Sequence, residues 1–316
     1  MLIVDRSRIE EILAGLDLRP LIEEAFRGYS AGRAIVPPVG ELLLERGEVH
    51  IKYGAITDDD YYVIKVASGF YDNPSLGLPS SDGLMLVFRQ HTGELEAVLL
   101  DEGHLTDVRT AAAGAVAAGL LAPPDVARIG VLGTGVQARL QLAQLAPLFE
   151  TRQAVAWGRN RQRLQAYSAV MAEDGWEVEV AESPARVAAL AQLIVTTTPS
   201  TQPLLEAADI QPGTHITAIG SDTSEKQELA ADVLAMADVV VADSLEQCRT
   251  RGEISRAVAA GTIELERAVE LGSVLAGEAS GRVAAEQITV FDSTGVAVQD
   301  IAIATAVVEA VAAEAA

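Results

Sequence analysis

A glycine turn separates an apolar run from a helical one: Ala127-Arg-Ile-Gly-Val-Leu-Gly133-Thr134-Gly135-Val136-Gln137-Ala138, then Arg139-Leu-Gln-Leu-Ala-Gln-Leu. Residues of this type and spacing can hold a pyrophosphate. Gly133 lets the chain turn tightly off a strand. Gly135 removes the side chain that would keep backbone from phosphates at a helix N-terminus, where free N–H groups and the dipole favour an anion. Ala138, at the third position of the pattern, is small enough to keep helix and strand close. A lone glycine pattern is weak, but the strand before it and the amphipathic helix after it supply the required context. The residues Gly133 to Ala138 are therefore read as a dinucleotide site.

An acid that binds the ribose 2′-hydroxyl usually ends the second strand of such a site. Here that strand runs into Trp157-Gly158-Arg159-Asn160-Arg161-Gln-Arg163, with no acid and three arginines. Guanidinium forks suit a 2′-phosphate, which favours NADP(H) and leaves NAD(H) as the alternative. The plainer reading has these arginines open a surface helix. Thr196-Thr197-Thr198-Pro-Ser200 ends the fourth strand and is placed against the nicotinamide ribose. Ser221 and Thr294 are further cofactor candidates, and Asp292-Ser-Thr294-Gly295 either reaches the nicotinamide or caps the last helix.

Three cations of the first third form a candidate substrate site: Lys52, Lys65 and Arg109. Lys65 lies in Val63-Ile-Lys65-Val, a run expected of a strand buried on both faces, where a lysine is costly unless it meets a polar cavity. Arg109 opens an Ala/Gly-rich helix whose close packing brings the guanidinium toward the cofactor. Together the cations would hold an α-carboxylate, Arg109 in bidentate fashion. The alternative for each is a surface charge with its stem packed down. Asp222 follows the fifth strand of the second region, at the carboxyl end where parallel sheets bind ligands. Its carboxylate would hold an amino or iminium group or relay a proton, unless Ser221 or Asp222 caps a following helix.

The elements that must position these groups fall into two regions. Up to about Leu121 the pattern is α+β: helices at 7–14 and 18–30, strands near 40–44, 49–53, 61–67 and 83–89, and a hairpin at His91-Thr-Gly93-Glu leading to 95–100. Strands so close in sequence suggest an antiparallel or mixed sheet. A helix from Leu105 ends at Pro123-Pro124, the expected boundary. Strand then alternates with helix: 128–132, 153–157, 177–180, 193–197, 214–219, 239–242 and a late strand 287–291. This alternation implies a parallel sheet covered on both faces. A long Ala/Val helix, 296–314, closes the chain and needs an apolar partner, most simply in the first region. The expected domains are 1–122 with 296–316, for substrate binding and dimerisation, and 123–295, for the dinucleotide.

Composition sets the outer limits. The 316 residues suffice for two domains, and 49% hydrophobic with 22% charged residues suits a globular enzyme. A formal charge of −22 argues against nucleic acid as a partner. The single cysteine, Cys248, fits a reducing cytosol and is read as packing rather than a nucleophile. The start, Met1-Leu-Ile-Val-Asp-Arg, lacks the basic and apolar run of a signal peptide, and no membrane span is expected, so the location expected is cytoplasmic. His50, His91, His104 and His215 lack metal-ligand spacing, and no metal is expected.

Taken together, these residues resemble the ornithine cyclodeaminase/mu-crystallin family over nearly the whole length. The resemblance rests on Ile64-Lys65-Val with Gly69-Phe-Tyr-Asp-Asn73-Pro, on Leu105-Thr-Asp-Val-Arg109-Thr-Ala-Ala-Ala-Gly, and on Gly133-Thr-Gly135-Val-Gln137-Ala. It continues through Thr196-Thr-Thr-Pro-Ser, Gly220-Ser-Asp222 with Lys226-Gln-Glu-Leu, and Asp292-Ser-Thr-Gly-Val-Ala-Val-Gln-Asp300. It implies an α/β protein: a Rossmann-type doubly wound parallel sheet plus an α+β N-terminal domain that dimerises and is completed by the C-terminal helix. It further implies carboxylate-holding cations at Arg109 and Lys65 and a catalytic Asp222.

The family includes lyases that cyclise ornithine or lysine while recycling bound NAD. It also includes reductases of ketimines, pyrroline carboxylates and iminosuccinate, and mu-crystallins that bind NADPH. Two departures separate this chain from the cyclodeaminase pattern. Pro37-Pro38-Val-Gly-Glu41 lacks the arginine often found after the proline pair, for which Lys52 is the substitute, and no acid follows the second nucleotide strand. Both favour a net reductase of a small 2-imino acid or cyclic ketimine carboxylate over an ammonia-releasing cyclodeaminase. A dinucleotide-binding protein without turnover is the third reading, which the joint presence of Lys65, Arg109 and Asp222 disfavours.

Overall fold

The computed structural model describes residues 1–315, with side chains through Glu314. The chain divides into two compact units, Met1–Arg109 with Val296–Ala316, and Thr110–Gly295. The division falls inside a helix, His104–Leu121, rather than at the two prolines that follow it.

In the first unit, strand β1 (Leu2–Asp5) leads into helices α1 (Arg6–Leu13) and α2 (Leu18–Ser30). Asp5 and Asp17 begin these helices, their carboxylates accepting from the N–H groups of Arg8 and Arg19. Strands β2 (Ala34–Ile35), β3 (Gly40–Leu44), β4 (Gly47–Ile56), β5 (Tyr61–Gly69), β6 (Ser81–Arg89) and β7 (Leu95–Leu100) complete a seven-stranded sheet. Its order is β1-β7-β6-β5-β4-β2, with β3 also on β4. The sheet is mixed: β1 runs parallel to β7, and the other pairs are antiparallel.

Strand β5 alternates rather than lying buried on both sides. Tyr61, Val63 and Lys65 are buried, while Tyr62, Ile64 and Val66 are only partly so. The expectation of a strand covered on both faces is thus corrected: an antiparallel sheet buries one face, and the β-branched residues beside Lys65 point to the other. The buried face packs against the C-terminal helix, Ala297–Ala315, which also packs on α2. The opposite face is apolar as well. The register aligns Ile3, Val98, Leu86, Ile64 and Tyr53 in one row, and Leu84, Val66 and Ile51 in the next. Ile3, Ile51 and Tyr53 are exposed, as are Leu42 and Leu44 on β3.

The second unit begins on α3 (His104–Leu121) and continues as β8 (Ile129–Leu132), α4 (Val136–Leu145), β9 (Gln153–Trp157), α5 (Arg161–Glu173), β10 (Glu177–Val180), α6 (Pro184–Leu190), β11 (Leu193–Thr196) and β12 (His215–Ala218). Then come α7 (Ala231–Met236), β13 (Val239–Ala242), α8 (Gly252–Ala259), β14 (Ala268–Glu270), α9 (Leu271–Leu275) and β15 (Thr289–Asp292). Every strand pair is parallel, in the order β10-β9-β8-β11-β12-β15-β13-β14. Strands β8, β11 and β12 are wholly buried, as a sheet covered on both faces requires. One face packs Leu132, Ile194, Ile216 and Val290 with Leu229 and Leu234; the other packs Ile129, Val131 and Val195 with Ala115, Ala138 and Leu142. The direction of winding reverses between β8 and β11, the place where such sheets open a crevice. No helix among the described residues is long and apolar enough to cross a membrane.

Candidate functional site

In the second unit the polar residues gather at the carboxyl ends of β8, β11 and β12. Gly133 leaves β8 at φ +127°, a region L side chains rarely adopt, and a Cβ there would lie 2.3 Å from Thr197 Oγ1. Protein packing alone therefore explains Gly133. Gly135 differs: a Cβ at that position would meet no protein atom within 4 Å. It precedes α4 in an extended conformation, and no side chain caps that helix. Uncapped N–H groups behind a position kept bare of side chain fit a phosphate-bearing ligand. Thr134, Val136 and Gln137 flank this opening. Ala138 is fully buried, and its carbonyl accepts from Tyr167 Oη at 3.1 Å.

At the end of β9, Gly158 makes room for Thr134, whose Cγ2 would lie 2.8 Å from an added Cβ. The Asn160 side chain caps α5, accepting from the N–H groups of Gln162 and Arg163 at 3.0 Å each. Arg159, Arg161 and Arg163 are exposed around it. Thr197 accompanies Leu132, donating to its carbonyl through both N–H (2.8 Å) and Oγ1 (3.1 Å). This ties β8 to β11 at the reversal point. The Thr198 N–H is taken by Glu228. Ser221 is buried and donates to the Lys226 carbonyl at 2.8 Å. Thr294 is also buried, donating to Asp243 Oδ1 and accepting from Gln247 Nε2. Asp222 caps no helix. Its side chain is about one-third exposed and pairs with Lys226 Nζ at 2.7 Å, while Arg251 Nη1 holds its carbonyl.

In the first unit, Lys65 on β5 stands directly opposite Lys52 on β4, both on the buried face. Like charges placed so repel, and the arrangement requires a counter-charge. Asp300 of the C-terminal helix provides it, with its Oδ2 3.0 Å and its Oδ1 3.1 Å from Lys65 Nζ. Arg109 Nε donates to the same Oδ1 at 2.9 Å, and its Nη1 donates to Gln299 Oε1 at 2.7 Å. Lys65, Arg109 and Asp300 are each no more than 3% exposed. Burial, and then the neighbouring Arg109 charge, lower the Lys65 ammonium to about 8, against the pull of Asp300. Burial alone would raise Asp300, but Arg109, Lys65 and Lys52 outweigh it and hold the carboxyl below its usual value. The cluster is a pair of buried cations sharing one carboxylate, and no described protein acceptor takes Arg109 Nη2.

The sequence reading singled out Lys65 and Arg109 and brought neither Asp300 nor Gln299 into the site. The signal was present: Gln299 and Asp300 are the polar pair of an otherwise apolar stretch, Val296-Ala-Val-Gln299-Asp300-Ile-Ala-Ile, where polar side chains are rare without partners. Glu228 and Glu253 were passed over as well.

The full sequence matches the ornithine cyclodeaminase/mu-crystallin family over residues 1–315. The chain belongs to that family. An uncharacterized cyclodeaminase of Sinorhizobium fredii is 42% identical over 311 residues, 96% of this chain and 94% of that protein. An archaeal alanine dehydrogenase dimer with bound NAD is similar in structure, with a TM-score of 0.91 at 33% identity, covering 100% of this chain and 97% of the other. The Delta(1)-pyrroline-2-carboxylate reductase of Thermococcus litoralis, in complex with NADH and L-proline, gives a TM-score of 0.93 at 27% identity, covering 100% and 98%. The relatives thus include nicotinamide-dependent oxidoreductases and a cyclodeaminase, and the two solved neighbours hold NAD or NADH.

Replacing Asp300 with Asn leaves Lys65 and Arg109 buried together without their carboxylate. Removing one partner of a buried ion pair typically costs about 3–5 kcal/mol. The variant's Lys65 is expected to fold neutral while the wild-type Lys65 keeps its proton up to about 8, so the deficit shrinks as the pH rises to about 8 and is constant above it, where both fold with a neutral lysine. Urea unfolding across alkaline pH measures this, and a deficit below about 1 kcal/mol at neutral pH would contradict the buried pairing.

Proposed function

We propose that the chain is a nicotinamide-dependent reductase of a small 2-imino acid or cyclic ketimine carboxylate. The observation that carries this reading is the sharing of one buried carboxylate, Asp300, between Lys65 and Arg109. The two cations crowd positive charge into a place costly to charge, and a substrate carboxylate would pair with it. Arg109 offers Nη2, and Lys52 stands across from Lys65 on the same face. Lys65 orients the substrate and can stabilise or protonate the developing anion. Asp222, kept beside Lys226, holds the substrate nitrogen. The dinucleotide supplies hydride, its pyrophosphate at Gly133 to Ala138 and its nicotinamide ribose near Thr197 and Thr198. Ser221 and Thr294 serve this cofactor site through the turns they brace. Arg159, Asn160 and Arg163, with no acid after β9, favour NADP(H) over NAD(H).

The test is nicotinamide absorbance with NADPH and with NADH, against pyrroline-2-carboxylate, piperideine-2-carboxylate, and pyruvate or glyoxylate with methylamine. Ornithine and lysine run in parallel for ammonia release. Consumption of NADPH with one of the imines is expected, faster than of NADH. For the best imine, kcat/KM should fall as the pH rises past about 8, where the Lys65 ammonium loses its proton. In Lys65→Arg, whose charge persists, that limb should disappear. Ammonia from ornithine without net absorbance change would replace this reading with a cyclodeaminase, and no reaction in either assay would leave a dinucleotide-binding protein.

The active form is proposed to be a homodimer. A continuous apolar sheet face left open to water is unusual for a monomer, and one neighbour is itself a dimer. A second copy laid face to face would cover Ile51, Tyr53 and Leu42. Light scattering should return twice the chain mass, and Leu42→Glu with Ile51→Glu should return the single mass. A monomeric wild type at micromolar concentration would refute this.

A further inference from the structure

The ends of β11 and β12 converge on a carboxylate that the proposed chemistry leaves unused. Glu228, between β12 and α7, is fully buried. Its Oε2 accepts from Thr196 Oγ1 at 2.6 Å and from Gly220 N–H at 2.9 Å. Its Oε1 accepts from Thr198 N–H at 2.6 Å. The residue is itself fixed. Glu253, on the first turn of α8, accepts from the N–H groups of Glu228 at 2.7 Å and Leu229 at 3.1 Å, and the Glu228 carbonyl accepts from Leu204 N–H at 2.7 Å. Gly220 shows how closely the parts are drawn together. A Cβ there would lie 2.2 Å from the Thr198 carbonyl oxygen and 2.5 Å from Glu228 Oε2.

We infer that Glu228 is a positioning residue: it clamps the turn after β11 to the turn after β12 and so fixes where Thr198 and Asp222 are presented to dinucleotide and substrate. What those turns hold rests on the function proposed above; the clamp itself rests on the hydrogen bonds. An ionised carboxylate accepts from all three donors at once, whereas a protonated one places its Oε2 hydrogen on the Thr196 hydroxyl, which then stops donating, and accepts from the Gly220 N–H only through a weaker hydroxyl oxygen. The clamp therefore depends on the charge. Among the described residues no cation is paired with Glu228: Glu253 approaches from α8, Asp292 of β15 acts on Glu253, and Lys226 on the same segment is paired with Asp222. Burial raises the Glu228 carboxyl to about 7, opposed by its hydrogen bonds from Thr196 and Thr198. The turns are thus held firmly above neutrality and released in mild acid.

The experiment compares wild type, Glu228→Gln and Thr196→Val by amide exchange at Thr198 and Gly220, and by dinucleotide affinity from about pH 6 to about pH 9. Wild-type affinity should weaken as the pH falls through about 7, and the protection of both amides, corrected for the intrinsic pH dependence of exchange, should fall together. Glu228→Gln turns an N–H group toward a donor, so exchange should quicken and affinity drop about tenfold, without pH dependence. Thr196→Val removes one donor to the ionised form, so its transition should move up by about one pH unit. It also serves if the Gln variant does not fold. Unchanged exchange and an unchanged pH profile in either folded variant would overturn the inference. Absence of dinucleotide binding by the wild type would defeat the functional reading alone, because the exchange measurements still decide whether Glu228 clamps the turns.

Discussion

Two cations and one carboxylate, all buried, set the terms for the first unit. Lys65 and Arg109 would not be tolerated there separately, and Asp300 makes them tolerable together. The antiparallel register places Lys65 on the covered face of the sheet opposite Lys52, and α3 begins close enough to bring Arg109 to the same oxygen. The C-terminal helix contributes the carboxylate from the far end of the chain. Its packing in the first unit therefore does more than cover apolar surface, since it also delivers the counter-charge that Lys65 and Arg109 share.

The second unit solves a different problem. A parallel sheet ends its strands in turns whose N–H groups have no ladder partners, and they must be satisfied as the turns are held in shape. Here buried acids do this. Glu228 takes Thr198 and Gly220, Glu253 takes Glu228 and Leu229, Asp292 takes Ile254, and Asp243 takes Gly295. Helix α4, which leaves β8 beside the winding reversal, has no side-chain cap, and Gly135 is bare in front of it.

The two halves of this design were unequally readable in the sequence. Glycine spacing, strand–helix alternation and the arginines after β9 are local patterns, so the doubly wound sheet and the turn at Gly133 to Ala138 could be read directly. The hairpin at Gly93 and the helix 18–30 were equally legible. Lys65 and Arg109 stood out because charge is rare in such apolar surroundings. Asp300 did not, because its partners lie 235 and 191 residues away and no spacing rule connects them. Glu228 was hidden for the opposite reason: Lys226-Gln-Glu228-Leu reads as an ordinary polar segment until β11 and β12 are brought side by side. Strand β14, three residues long, is too short to show a period.

The most direct test of the central claim is a nuclear magnetic resonance titration of the Lys65 side chain, with and without saturating L-proline as an unreactive carboxylate. Lys65 is expected to titrate near 8 in the free protein, and the bound carboxylate should raise that value as it pairs with the crowded cations. A lysine that titrates at its ordinary 10.5, or that no carboxylate moves, would mean that Lys65, Arg109 and Asp300 hold the fold together and nothing more.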